Sequence, residues 1–253
     1  YSFTDAYIAM QYLKLTPEQR ERFDPMITGF NPADMYAADH IRRVLETFPG
    51  VFSGIGEFSI HKEFVSSKVA GVGATLGDRA LDRLLAFSGE VGLVVIFHND
   101  IDIPFANDGE EPAYLAQFKE LLRRHPKTTI IWAHTGLGRV VHPPRVQPTG
   151  LGDRSPGHLG ILEGILRAGR RPHFSFALSG DRAARYVTAS PEATKAAAEL
   201  VNRYPDRFLF GTDNVAPADQ EAHLAVFRMY DRLWQQLTVE ANAQVRLENY
   251  ERL

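Results

Sequence analysis

The chain has 253 residues, 44% hydrophobic and 23% charged, with 20 glycines and 15 prolines, a composition that excludes a disordered, collagenous or low-complexity protein. A formal net charge of −3 points to neither nucleic acid nor an anionic membrane as a partner, and no run reaches the ~20 apolar residues of a membrane span. Cysteine is absent, so disulfides and thiolate chemistry are excluded and any metal must be held by histidine, carboxylate or water. The length suits one domain, residues 1–253, of the size of an α/β barrel.

Six runs rich in β-branched and aromatic residues read as strands: 26–31, 51–58, 93–98, 129–134, 173–178 and 207–213. Several are almost continuously apolar, as a parallel strand covered on both faces requires. Helical patterns fill the gaps. Asn31 and Pro32 are placed to start a helix whose stripe is Ala38, Ile41, Leu45 and Phe48. Asp78 opens the next, with Leu81, Leu84 and Leu85 on one face, and Pro112 opens a third carrying Leu115, Phe118, Leu121 and Leu122. Between 136 and 157 the prolines and glycines forbid regular structure, and so long a loop is either functional or disordered. Ser190 and Pro191 start a helix with Ala197, Leu200 and Val201 buried, and a last long helix over 218–237 buries Leu224, Phe227, Tyr230 and Leu233. Strands alternating with such helices make βαβ units and a parallel sheet.

Four strand runs finish on residues able to bind metal or move protons: Glu57, His98, His134 and Asp213. In a parallel α/β barrel the C-terminal strand ends share the face where active sites are built, so these four are expected to line one cavity. Each has a plainer explanation, such as a turn aspartate at Asp213 or a salt bridge from Glu57 to Lys62, but four coincidences at the same end favour a site. His61 and Lys62 follow Glu57 closely enough to line the same mouth. Arg139, five residues after His134, is a candidate to clamp a substrate carboxylate, with a surface salt bridge as its alternative. The remaining histidines are expected to be structural: His40 and His223 on helix surfaces, His125 at the carbonyl end of its helix, and His173 at a strand start. His142 and His158 flank the long loop and stay open. The glycine-rich stretch 71–77 lacks the lysine and hydroxyl ending of a phosphate loop.

The segments GIGEF, VIFH, IIWAHTGLGR, RFLFGTDNVAP and ENYERL, in this order, resemble the amidohydrolase superfamily, nearest the branch that contains aminocarboxymuconate-semialdehyde decarboxylase. The resemblance runs from about Met26 to Leu253 and implies a distorted (β/α)8 barrel with one or two divalent metals, usually zinc. The six strands then correspond to the third through eighth, so the first one or two β/α units are expected to be missing, and with them the His-x-His pair of the first strand. It implies metal ligation by His98, Asp213, Glu57 and His134, with retention of zinc weakened where that pair is lacking. Where the seventh strand is expected to carry an aspartate, this chain has Ala177.

The implied reaction is hydrolysis of an amide, ester or lactone by a metal-activated water, Asp213 accepting its proton and His134 polarising the carbonyl or protonating the leaving group. The alternatives are a non-oxidative decarboxylase of an aromatic or dienoic acid on the same site, and a non-catalytic ligand-binding barrel. The expected partner is a small, carboxylate-bearing molecule, with a homodimer left open. The cytoplasm is the expected location, with a removed signal peptide ahead of Tyr1 left open.

Overall fold

Among the described residues, each of the six strand-like apolar runs contains a strand. The computed structural model describes residues 2–62, 73–103, 111–138, 157–169 and 173–253. Its strands are β1 (Met26–Ile27), β2 (Gly54–Ser59), β3 (Val94–His98), β4 (Ile130–Trp132), β5 (Phe174–Ser179) and β6 (Phe208–Gly211). They follow chain order in a six-stranded sheet, and the paired registers of β1 with β2, β2 with β3 and β5 with β6 are parallel. All six expected strands are present with shifted bounds, β2 and β5 running one residue past the expected end and the others shortened, and helices alternate with them as in a β/α barrel, which has eight such units when whole.

By contact the chain divides into two units, Tyr1–Asn99 with Ala116–Ile131, and Asp100–Leu115 with Trp132–Leu253. The first carries α1 (Ser2–Tyr12), α2 (Pro17–Arg20), α3 (Ala37–Thr47), α4 (Arg79–Val91) and all but the first residue of α5 (Leu115–Arg124). Its core joins the strand residues Ile27, Ile55 and Phe97 to Ile41, Leu81, Leu84, Leu85, Phe118 and Leu121 from the helices, all fully buried. Helix α3 begins at Ala37 rather than Pro32, because the Asn31 carboxamide accepts from the Ala33 amide at 3.0 Å and closes a local turn that competes with the helix. Its buried face is Ala37, Ile41 and Val44, which shares Ile41 with the expected stripe and lies one position before Ala38 and Leu45.

Two histidines depart from expectation here. His40 is not a surface residue: its Nε2 lies 2.9 Å from the Asp5 carboxylate, which is fully buried and accepts the amides of Thr28 and Gly29, tying α1 to the exit of β1. The ring of His125 meets the Asp82 carboxylate at 2.8 Å instead of capping carbonyls, since a full charge outcompetes a helix end.

The second unit carries α6 (His158–Arg167), α7 (Gly180–Val187), α8 (Pro191–Arg203), α9 (Gln220–Met229) and α10 (Asp231–Trp234). Phe176 and Phe208 stack at 5.4 Å across β5 and β6. The single helix expected over 218–237 is broken at Tyr230, whose phenol donates to the Gly180 carbonyl at 2.9 Å while its ring packs on Phe210 and Trp234. A buried donor that needs a carbonyl on another element outweighs helix continuity. Ser190 caps α8 as expected, accepting from the Ala193 amide at 3.1 Å. Ser190→Ala is expected to cost about 1 kcal/mol, seen as a lower urea midpoint at unchanged m-value.

Candidate metal centre

In the first unit, β2 and β3 pair with Ser59 opposite His98, so the ends of the two strands carry Glu57 and His98 side by side. Glycine is required just before the carboxylate: Gly56 has φ +125°, and a Cβ there would lie 2.1 Å from the Ile96 carbonyl oxygen. Close approach of the strands then brings Glu57 Oε1 to 3.4 Å from His98 Nδ1. The same oxygen lies 3.6 Å from Lys62 Nζ, so the salt bridge weighed from sequence and the histidine contact exist together. The backbone amide of His61 donates to Asn99 Oδ1 at 3.4 Å, placing it next to the residue that follows His98.

In the second unit the chain leaves β4 through a buried turn, Ala133–Gly136, in which His134 and Thr135 are both left-handed, at φ +52° and +56°. Two successive non-glycine residues in that region are a strained arrangement of the sort found at functional sites. His134 Nδ1 lies 2.9 Å from Ser179 Oγ and 3.2 Å from the Ser179 carbonyl oxygen. The hydroxyl can donate or accept but the carbonyl only accepts, so the carbonyl contact favours the tautomer with the proton on Nδ1, which leaves Nε2 able to accept a proton or a metal. Nε2 lies 3.7 Å from Asp213 Oδ2. Asp213 is itself left-handed, at φ +52°.

Gly180, at φ +75°, is the floor of this pair: a Cβ there would sit 3.2 Å from Asp213 Oδ2 and 3.7 Å from His134 Nδ1. Burial first, then the negative charges of Asp181 and Asp213, push the Tyr230 phenol above its ordinary range, so it remains a neutral donor to the Gly180 carbonyl. His158 borders the turn, its Nε2 3.3 Å from Thr135 Oγ1, and burial lowers its pKa to about 4.

In the first unit Glu57 and His98 offer a carboxylate oxygen and an imidazole nitrogen as donors for a metal ion, and in the second His134 offers an imidazole nitrogen beside Asp213. Carboxylate and imidazole donors, with no thiolate in the chain, suit a divalent ion such as zinc or manganese. His223 is exposed on α9, with Asn214 Nδ2 3.2 Å from its ring, and His173 directly precedes β5, as their structural assignment requires. Arg139, His142 and most of the 136–157 loop lie outside the described residues, as do Gly71 and Val72.

Ser179, Gly180, Thr135, His158 and Tyr230 were not singled out by sequence reasoning as parts of a site. Ser179 and Gly180 had a signal, since they directly follow the fifth strand run, as the other site residues end theirs. Tyr230 had none, because its spacing within an apolar stripe hides the use of its hydroxyl.

A family model described as amidohydrolase matches residues 15–253. No curated protein matches the sequence. Among solved structures, a 2,6-dihydroxybenzoate decarboxylase from Rhizobium is 15% identical at a TM-score of 0.58, over 98% of this chain and 75% of that one. A dihydroxybenzoic acid decarboxylase from a Polaromonas species, with bound manganese and the inhibitor 2-nitroresorcinol, is 15% identical at 0.56, over 98% and 73%. An amidohydrolase from Burkholderia multivorans with bound zinc is 15% identical at 0.55, over 90% and 72%. At such identities the likeness is one of fold.

Proposed function

This chain belongs to the amidohydrolase family, a family of metal-dependent enzymes, and on that premise we propose that it hydrolyses an amide, ester or lactone of a small carboxylate-bearing molecule with the help of a divalent ion, zinc first. The observation that carries the reading is the pair Glu57 and His98, whose carboxylate and imidazole donor atoms lie 3.4 Å apart at the ends of β2 and β3. A divalent ion held by such donors would supply a Lewis acid and would lower the pKa of a bound water to about 7. Asp213, the carboxylate 3.7 Å from His134 Nε2, is the proton acceptor, and its half-exposed position lets it reach a water. His134, once protonated, returns a proton to the leaving group. Lys62, beside Glu57, and Arg139 supply positive charge for a substrate carboxylate. His61 lines the same mouth.

Non-oxidative decarboxylation is the second reading, favoured by decarboxylases that share the fold over 98% of this chain. In it the same acid and base exchange a proton with the substrate carbon. The test is to supply the zinc- or manganese-loaded protein with a panel of carboxylate-bearing lactones, esters and amides, and separately with 2,6-dihydroxybenzoate. Metal-dependent ring opening or cleavage in the panel is the expected result. Carbon dioxide release from the aromatic acid alone would select the second reading, and no turnover of either with any divalent ion would overturn both.

A further inference from the structure

Resting on the assignment of His134 as the proton carrier, we propose that Thr135 and His158 are positioning residues that hold His134 in the tautomer with its proton on Nδ1, which leaves Nε2 able to accept one. The juxtaposition is Thr135 Oγ1 lying 2.6 Å from the His134 carbonyl and 3.3 Å from His158 Nε2, on a turn where His134 and Thr135 are both left-handed.

A threonine hydroxyl has one proton, and the carbonyl of His134 takes it. The contact with His158 is therefore made by the ring Nε2–H donating to Oγ1, which requires a proton on Nε2, as in the neutral Nε2–H tautomer or the imidazolium, never the tautomer with Nδ1–H alone. His158 is held in turn by Tyr186, whose ring meets it edge-on at 5.4 Å and 83°. Thr135 is 2% exposed, so water does not substitute for these partners. A left-handed β-branched residue is costly, and the chain persists there only where surrounding contacts over-determine it. The two bonds on Oγ1 are such contacts. They fix the peptide that carries His134, and with it the ring that meets Ser179 at Oγ and at the carbonyl oxygen. When the turn relaxes, Nδ1 leaves the Ser179 carbonyl and the preference for the Nδ1–H tautomer weakens, while Asp213 beside Nε2 favours the other form.

The test uses the full chain without metal, labelled with nitrogen-15 in its histidines, and reads the ring nitrogens by long-range proton–nitrogen NMR at neutral pH, His134→Gln assigning the resonances. The wild type is expected to show His134 as a single Nδ1–H tautomer. Thr135→Val, which keeps the shape and removes the hydroxyl, is expected to turn it into a tautomer mixture, Thr135→Ser to restore the single form, and His158→Ala to give a mixture again. A His134 spectrum unchanged in folded Thr135→Val or His158→Ala protein would overturn the proposal. If Thr135→Val does not fold, His158→Ala decides by the same readout, because it leaves both turn residues in place. Because no metal or substrate is present, failure here is separable from failure of the metal reading, which shows instead as undiminished metal binding in His98→Ala.

Discussion

His98→Ala in the full chain is expected to lower zinc or manganese affinity by more than about 100-fold. Removing a residue that merely orients a ligand already costs about 10–100-fold, and His98 is proposed to donate directly. Its ring is 8% exposed and stands 3.4 Å from Glu57, so alanine leaves a carboxylate beside a void and no other imidazole on β3. Asp213→Ala is expected to abolish turnover and to weaken metal retention. His223→Ala, on the exposed face of α9, is expected to leave both unchanged. Metal content of the purified variants after dialysis, followed by calorimetric titration, measures this. Equal metal in all three would mean that the site lies elsewhere.

The second large effect is a loss of stability with falling pH that belongs to His158. Its pKa is lowered from 6.5 to about 4, burial being the main cause and contact with Thr135 opposing it. In the unfolded chain the same ring takes up a proton near pH 6.5, so between those two values the unfolded state binds more protons than the folded one. Stability therefore declines as pH drops through that window and levels off once both states are protonated, by at most about 3 kcal/mol from this group. His158→Gln keeps an amide donor toward Thr135 and removes the titration. Urea denaturation of the wild type and this variant near neutral pH and near pH 4.5 isolates the contribution, since the carboxylates are common to both. The stability gap between the two proteins should shift in favour of the variant on acidification. A gap that does not move with pH would show that His158 is not buried as a neutral ring.

Much of the fold was legible because its signals are local. All six strands appear where apolar runs stand, and α8 starts at Ser190–Pro191, where the cap and the proline prescribe it. The misjudged pieces have one cause. The start of α3 and the break at Tyr230 were set by hydrogen bonds from a carboxamide and a phenol, and strand or helix periodicity does not record where a polar group finds its partner. His40 and His125 were misjudged for the same reason, since each answers a carboxylate 35 or 43 positions away in sequence.

The sequence by itself determined the class of chemistry: imidazoles and carboxylates at successive strand ends, no thiol, and a parallel α/β repeat that sends those ends the same way. Residue type and period are properties of neighbours in the chain, so they survive without coordinates. Tertiary structure decided what surrounds the ring nitrogens of His134, because Nδ1 meets a hydroxyl and a carbonyl 45 residues away. It also decided that Gly180 must be glycine, because a Cβ there would press on Asp213 and because its φ of +75° suits no side chain. Protonation and steric fit are set by what the fold brings within a few ångströms, and sequence separation carries no information about that distance.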